Sequence, residues 1–107
     1  MRAILLIALV ATGLSVPGAA FADQVKATFP GCRSKATFEK VHEIIMSGDK
    51  AARDKILMAT MLAGECAIFK PGTTVFRADS TWDGLACLRP EGEISCLWTL
   101  REVISGF

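Results

Sequence analysis

From Ser34 to Gly64 apolar residues recur every three or four positions, whereas from Cys66 to Leu100 they alternate or cluster in short runs. The chain therefore divides into a helical stretch and a strand-rich stretch. Ser34 stands where an N-cap is wanted, Phe38, Val41, Ile44 and Ile45 form one stripe, and Gly48 occupies the place of a left-handed stop. Asp49 can cap a second helix, in which Ala52, Ile56, Ala59 and Ala63 form a stripe widened by Leu57, Met61 and Leu62 before Gly64 ends it. So broad an apolar surface predicts a helix covered on more than one side, lying between the first helix and a sheet.

Beyond Cys66 the segments CAIFK, TTVFRA, GLACLR and ISCLWTL are short and rich in branched or bulky residues. Pro71-Gly72, the run Asp79 to Asp83, and Pro90-Glu91-Gly92 separate them with turn chemistry. Four such strands in succession predict an antiparallel meander. In the last of them Ile94, Cys96, Trp98 and Leu100 share one face, which is expected to meet the core.

The run PGTTVFRADSTWDGLACLRPEG followed by CLWTL resembles bacterial SH3-like small-barrel domains over about 35 residues of strand-and-turn pattern. That resemblance implies an SH3-like sheet or small barrel. Together with the helices it gives an α+β fold: an N-terminal αα-hairpin packed on a four-stranded antiparallel SH3-like sheet, stapled by disulfides.

The N-terminus changes the setting. Arg2, the apolar run Ala3 to Val16, the break at Pro17-Gly18 and the small-x-small triplet Ala20-Phe21-Ala22 have the form of a secretory signal over residues 1–22. Residues 23–107 are then one small domain beginning at Asp23. Export places four cysteines in an oxidising compartment, where two disulfides are the simplest reading. The expected location is periplasmic or secreted. Setting Arg2 aside leaves 11 basic against 11 acidic residues, a balance that offers no electrostatic footprint for nucleic acid or an anionic membrane. No second hydrophobic span follows, so no stable membrane insertion is expected after cleavage.

Cys32 precedes the first helix and Cys66 follows the second. Two helices of similar length, each roughly 20 Å, folded back at Gly48-Asp49 bring these cysteines together. Cys87 and Cys96 remain. A two-residue loop at Glu91-Gly92 sets 87 opposite 96 on the same face, whereas a three-residue loop with Pro90 at its second position sets 87 opposite 95 and the two sulfurs on opposite faces unless a bulge restores the register. Elimination favours Cys32–Cys66 with Cys87–Cys96. The cysteines are read as staples: no C-x-x-C occurs and His42 is the only histidine, so neither zinc nor thiol exchange has its ligands.

No motif for hydrolase, kinase or dinucleotide chemistry is present, and no cofactor is implied. His42 sits at the margin of an apolar stripe, as a half-exposed structural residue. Glu39 and Glu43 mark a solvated face. Trp98 is expected in the core. Trp82 is different, because it stands in the polar run Ala78 to Gly84, where periodicity gives a large aromatic no place. Either it folds back to plug the barrel end or it anchors a partner, with Arg77, Asp79 and Asp83 supplying polar contacts. The function read from these residues is a non-enzymatic exported binding module of the bacterial envelope whose partner is a protein or a cell-wall component. A secreted effector or inhibitor, and a small enzyme with no visible motif, are the alternatives.

Overall fold

The computed structural model describes residues 22–106; the expected leader lies outside the described residues except for Ala22. The order of elements is β1 (Ala22–Gln24), β2 (Phe29–Cys32), α1 (Lys35–Ser47), α2 (Lys50–Leu62), β3 (Cys66–Phe69), β4 (Thr74–Ser80), β5 (Leu85–Pro90), β6 (Leu97–Leu100) and α3 (Glu102–Ser105). The fold is α+β, with six strands in one antiparallel sheet of order β1-β4-β5-β6-β2-β3.

The helical hairpin forms where its caps place it. Ser34 Oγ accepts from the Thr37 N–H at 3.2 Å, and Asp49 Oδ1 accepts from the Ala52 N–H at 3.0 Å, so each helix begins with a donor satisfied. Gly48 ends α1 at φ +81°, a conformation costly for any residue with a Cβ. Phe38 and Val41 of α1 are fully buried, each contributing about 1.5–3 kcal/mol against exposure.

Three expectations need correction. The helical hairpin is not N-terminal to the sheet but interrupts it, entering from β2 and leaving into β3. The sheet has six strands rather than four, and β3 does not lie beside β4. Finally, α2 is not sandwiched: none of its residues is buried, and Met58 and Leu62 are 65% and 83% exposed. Its apolar stripe splits, with Ile56 and Leu57 packing inward and Met58, Met61 and Leu62 left facing solvent.

The displaced β3 has a physical cause. β1 and β2 pair with β4 and β3 as two parts of one ribbon, because Gln24↔Thr74 and Phe29↔Phe69 are separated by five residues on both strands. The register thus passes through the bend with no residue inserted. There the Val25 N–H donates to Thr73 O at 2.9 Å and the Gly72 N–H to Val25 O at 2.8 Å. Pro71-Gly72 therefore makes a corner in a strand already paired, where the sequence reads as a hairpin between neighbours. Folding the ribbon curls the sheet, and a single core cluster gathers Phe69 of β3, Val75 of β4, Ala86 and Leu88 of β5 and Leu97 of β6. Val103 and Ile104 of α3 enter the same cluster with Val25, and the Lys26 N–H donates to Val103 O at 2.7 Å. A second cluster, between helices and sheet, holds Cys32, Phe38, Val41, Cys66 and Leu85 with the half-buried Trp98 against them.

β2 escapes the periodic reading because Pro30-Gly31 has the composition of a turn. Both residues are nonetheless buried in the strand. Pro30 tolerates its place opposite Ile68 because the N–H it lacks would point away from β3, toward β6, which pairs with β2 at Cys32↔Trp98 and not at Pro30; its carbonyl accepts from the buried Thr99 Oγ1 at 3.0 Å. Gly31 is required by packing. A Cβ there would stand 2.4 Å from Cε2 of Phe69.

Both expected disulfides are present, Cys32–Cys66 and Cys87–Cys96. The first joins residues directly opposite each other in β2 and β3. The second follows neither hairpin register foreseen: Cys87 lies opposite Trp98, and Cys96 falls in the loop just before β6. Cys96 precedes Trp98 by two residues, so side-chain alternation keeps it on the face of Cys87, and the bridge runs diagonally with Cα atoms 5.3 Å apart. The loop turns at Gly92, φ +89°, with the Glu93 N–H donating to Pro90 O at 3.0 Å, so proline stands one place earlier in the turn than its composition indicates. Because β6 begins only at Leu97, Ile94 does not reach the core and is 96% exposed.

Candidate binding surface at the Trp82 turn

The connection between β4 and β5 is short and heavily bonded. The Thr81 N–H donates to Leu85 O at 2.9 Å, and the Leu85 N–H donates to Thr81 Oγ1 at 3.1 Å. The Thr81 hydroxyl in turn donates to the Asp83 carboxylate. Gly84, at φ +99°, supplies the left-handed residue that lets the chain reverse. From across the sheet Arg101 completes the frame: its backbone N–H donates to Gly84 O at 2.8 Å, and its Nη2 donates to Thr81 O at 2.7 Å. Charge-assisted bonds of the latter kind are about twice as strong as neutral ones.

On this frame Trp82 is 96% exposed. The plug alternative is therefore corrected: the indole stands in solvent, and the core cluster is made without it, with Val103 and Ile104 of α3 among its residues. Asp83 is a turn-forming residue, and Asp79 Oδ1 accepts from the Ser80 N–H at 2.8 Å just before the turn. Arg77 does not join them. A β-bulge between Arg77 and Asp79 sets Arg77 opposite Leu88 but Asp79 opposite Cys87, and adjacent residues of β5 face opposite ways. Arg77 instead lies 3.9 Å from Asp23 of β1, an exposed pair of little energetic weight.

The structure adds Thr81, Gly84 and Arg101 to the site. Thr81 and Gly84 carried a local signal, since Thr-x-Asp-Gly is turn chemistry. Arg101 carried none, because it comes from the end of β6 and meets the turn only through the sheet.

His42 stacks on Phe38 with ring centroids 5.6 Å apart and meets Phe29 edge-on at 6.2 Å, a packing role at the margin of the helical core. Clefts lie elsewhere. One of about 300 Å³ sits between Arg33, Ala67 and Leu97, one of about 380 Å³ between Phe29, Ile45, Leu57 and Ile68, and an open groove of about 660 Å³ runs along α2; His42 lines none of them. Among the described residues no His, Cys, Asp and Glu side chains gather in a metal-binding group of three or more, and no helix is long and apolar enough to cross a membrane. Compared with family models, curated proteins and solved structures, the chain finds no match.

Proposed function

We propose that this protein is an exported, non-catalytic binding domain that engages a protein or cell-wall component of the bacterial envelope through the Trp82 turn. The observation that carries the reading is an almost fully solvated indole on a turn whose backbone is bonded to Leu85 at its base and to Arg101 from the end of β6. A large aromatic on a pre-ordered loop offers contact area at low entropic cost, which is why such residues act as anchors. The two disulfides and the small core fit an extracytoplasmic setting.

The test compares the oxidised protein with its Trp82→Ala variant, both as bait in envelope extract and in co-sedimentation with purified peptidoglycan. Loss of the anchor is expected to weaken the captured interaction about thirtyfold, the equivalent of about 2 kcal/mol. Unfolding temperature should not move, since the side chain buries little on folding. Identical capture by both proteins on both arms would remove the turn from the binding surface.

A further inference from the structure

We infer that the cleft of about 300 Å³ where β2 and β5 end and β3 and β6 begin is a second binding site, and that it takes a short zwitterionic peptide, with the carboxylate at Arg33 and the ammonium at Glu93. Arg33 follows β2, Ala67 belongs to β3, Pro90 ends β5, Glu93 and Ser95 come from the loop before β6, and Leu97 opens β6. The Trp82 turn stands at the start of β5 and this cleft at its end, so the site does not rest on the reading of that turn.

Disulfides hold both walls. Arg33 adjoins Cys32, whose bond to Cys66 clamps β2 to β3, and the Arg33 N–H donates to Glu65 O at 2.8 Å. Ser95 adjoins Cys96, whose bond to Cys87 ties the loop to β5. Glu93 is fixed through both backbone groups: its N–H donates to Pro90 O at 3.0 Å, and its C=O accepts from Arg89 Nη1 at 3.0 Å. The backbone that carries the polar groups is therefore ordered before a ligand arrives, which lowers the entropic cost of binding.

The side chains, by contrast, are uncommitted. Among the described residues neither Arg33 nor Glu93 makes an ion pair, and Ser95 Oγ makes no hydrogen bond. A free cation and a free anion lining one cleft select a ligand by exclusion. A dianion is repelled by Glu93 and a dication by Arg33, while a neutral sugar or the interior of a peptide chain answers neither charge. A short free peptide carries both charges, one at each terminus. Its carboxylate suits the two-pronged guanidinium, and its ammonium donates to the Glu93 carboxylate. Between these poles Ala67, Pro90 and Leu97 offer apolar surface for small aliphatic side chains, with the Ser95 hydroxyl beside them for the peptide link. The volume stands at the lower end for ligand pockets, which limits the occupant to a few residues.

The test titrates the oxidised protein with Ala-Ala and with Ala-Ala-Ala, followed through the amide signals of Ala67, Ser95 and Leu97 and by calorimetry. At least one of the two should saturate with a dissociation constant of about 1 mM or below. Acetylating its amine and amidating its carboxylate should each weaken it about tenfold or more, since each removes a charge-assisted bond. Arg33 and Glu93 are exposed, so Arg33→Gln and Glu93→Gln leave the fold intact. Arg33→Gln should erase the effect of amidation, and Glu93→Gln that of acetylation. Ala67→Leu fills the cleft with both charges kept and is expected to weaken binding about tenfold as well. Amide signals that stay still at about 10 mM peptide, or affinity that either blocked form retains in full, would overturn the proposal.

Discussion

Replacing Gly31 by alanine tests the packing of the curled sheet at its tightest point. The added methyl would stand 2.4 Å from Cε2 and 3.1 Å from Cδ2 of Phe69, and 3.1 Å from Cβ of Leu97. Ordinary carbon contacts begin near 3.5 Å, so the ring or the strand must shift by about 1 Å. Phe69 is only 3% exposed and has no solvent to swing into. Overpacking of this kind costs about 1–3 kcal/mol. Against it stands the smaller unfolded-state entropy of alanine, worth about 0.4–1 kcal/mol in favour of the variant. The clash wins, and Gly31→Ala should lose about 1–2 kcal/mol in urea unfolding. The cause is isolated by a double-mutant cycle with Phe69→Leu, which shortens the offending side chain. In that background the alanine should cost nothing or stabilise, a coupling of about 1 kcal/mol or more. A Gly31→Ala protein as stable as wild type, or a cost that persists unchanged without the ring, would refute the close approach.

Removing Cys32–Cys66 as a double alanine variant should destabilise more than removing Cys87–Cys96, because sequence separations of 34 and 9 give loop terms of about 3.8 and 2.6 kcal/mol; parallel urea titrations decide the order. Thr99→Val deletes the hydroxyl bonded to the buried Pro30 carbonyl and should cost about 1–3 kcal/mol, with Thr99→Ser retaining most of the stability. Arg101→Met should loosen the turn without emptying the core, seen as faster amide exchange at Leu85, whose N–H is held by Thr81, while the amides of Ala86 and Leu88 stay slow.

The features legible beforehand are those whose chemistry is local. Ser34, Gly48 and Asp49 announce their roles within one helical turn, and the two cysteine pairs follow once the hairpin brings Cys32 to Cys66. Trp82 was conspicuous for want of any periodic reason to be where it is. What escaped depends on distant partners. β2 reads as a turn because Pro30 and Gly31 are judged by composition, yet one is accepted for the bond it cannot make and the other for the ring that lies over it. Similarly α2 has the breadth of a sandwiched helix, and nothing within it says that β3, which it packs on, is the terminal strand of the sheet. The separation of Arg77 from Asp79 turns on a single bulge, which alternation counted along β4 alone does not contain.

The folded ribbon has a bearing on how the chain finds its shape. Its two strands are divided in sequence by the whole helical hairpin, so pairing β1–β2 with β3–β4 is a non-local event of the kind that slows folding. The Cys32–Cys66 bond stands at the end of the ribbon where the helices leave it. Once that bond closes, the next pair inward, Gly31 with Ala67, is already aligned, and each pair formed brings the following one into reach as far as Ala22 and Phe76. Pairing after oxidation is therefore a zipper with its first tooth welded, and a one-residue slip, which would turn Phe69 out of the core, is denied before it can begin. The same bond makes the order of oxidation matter: sulfurs that pair Cys32 wrongly would forfeit the alignment of both halves of the sheet at once.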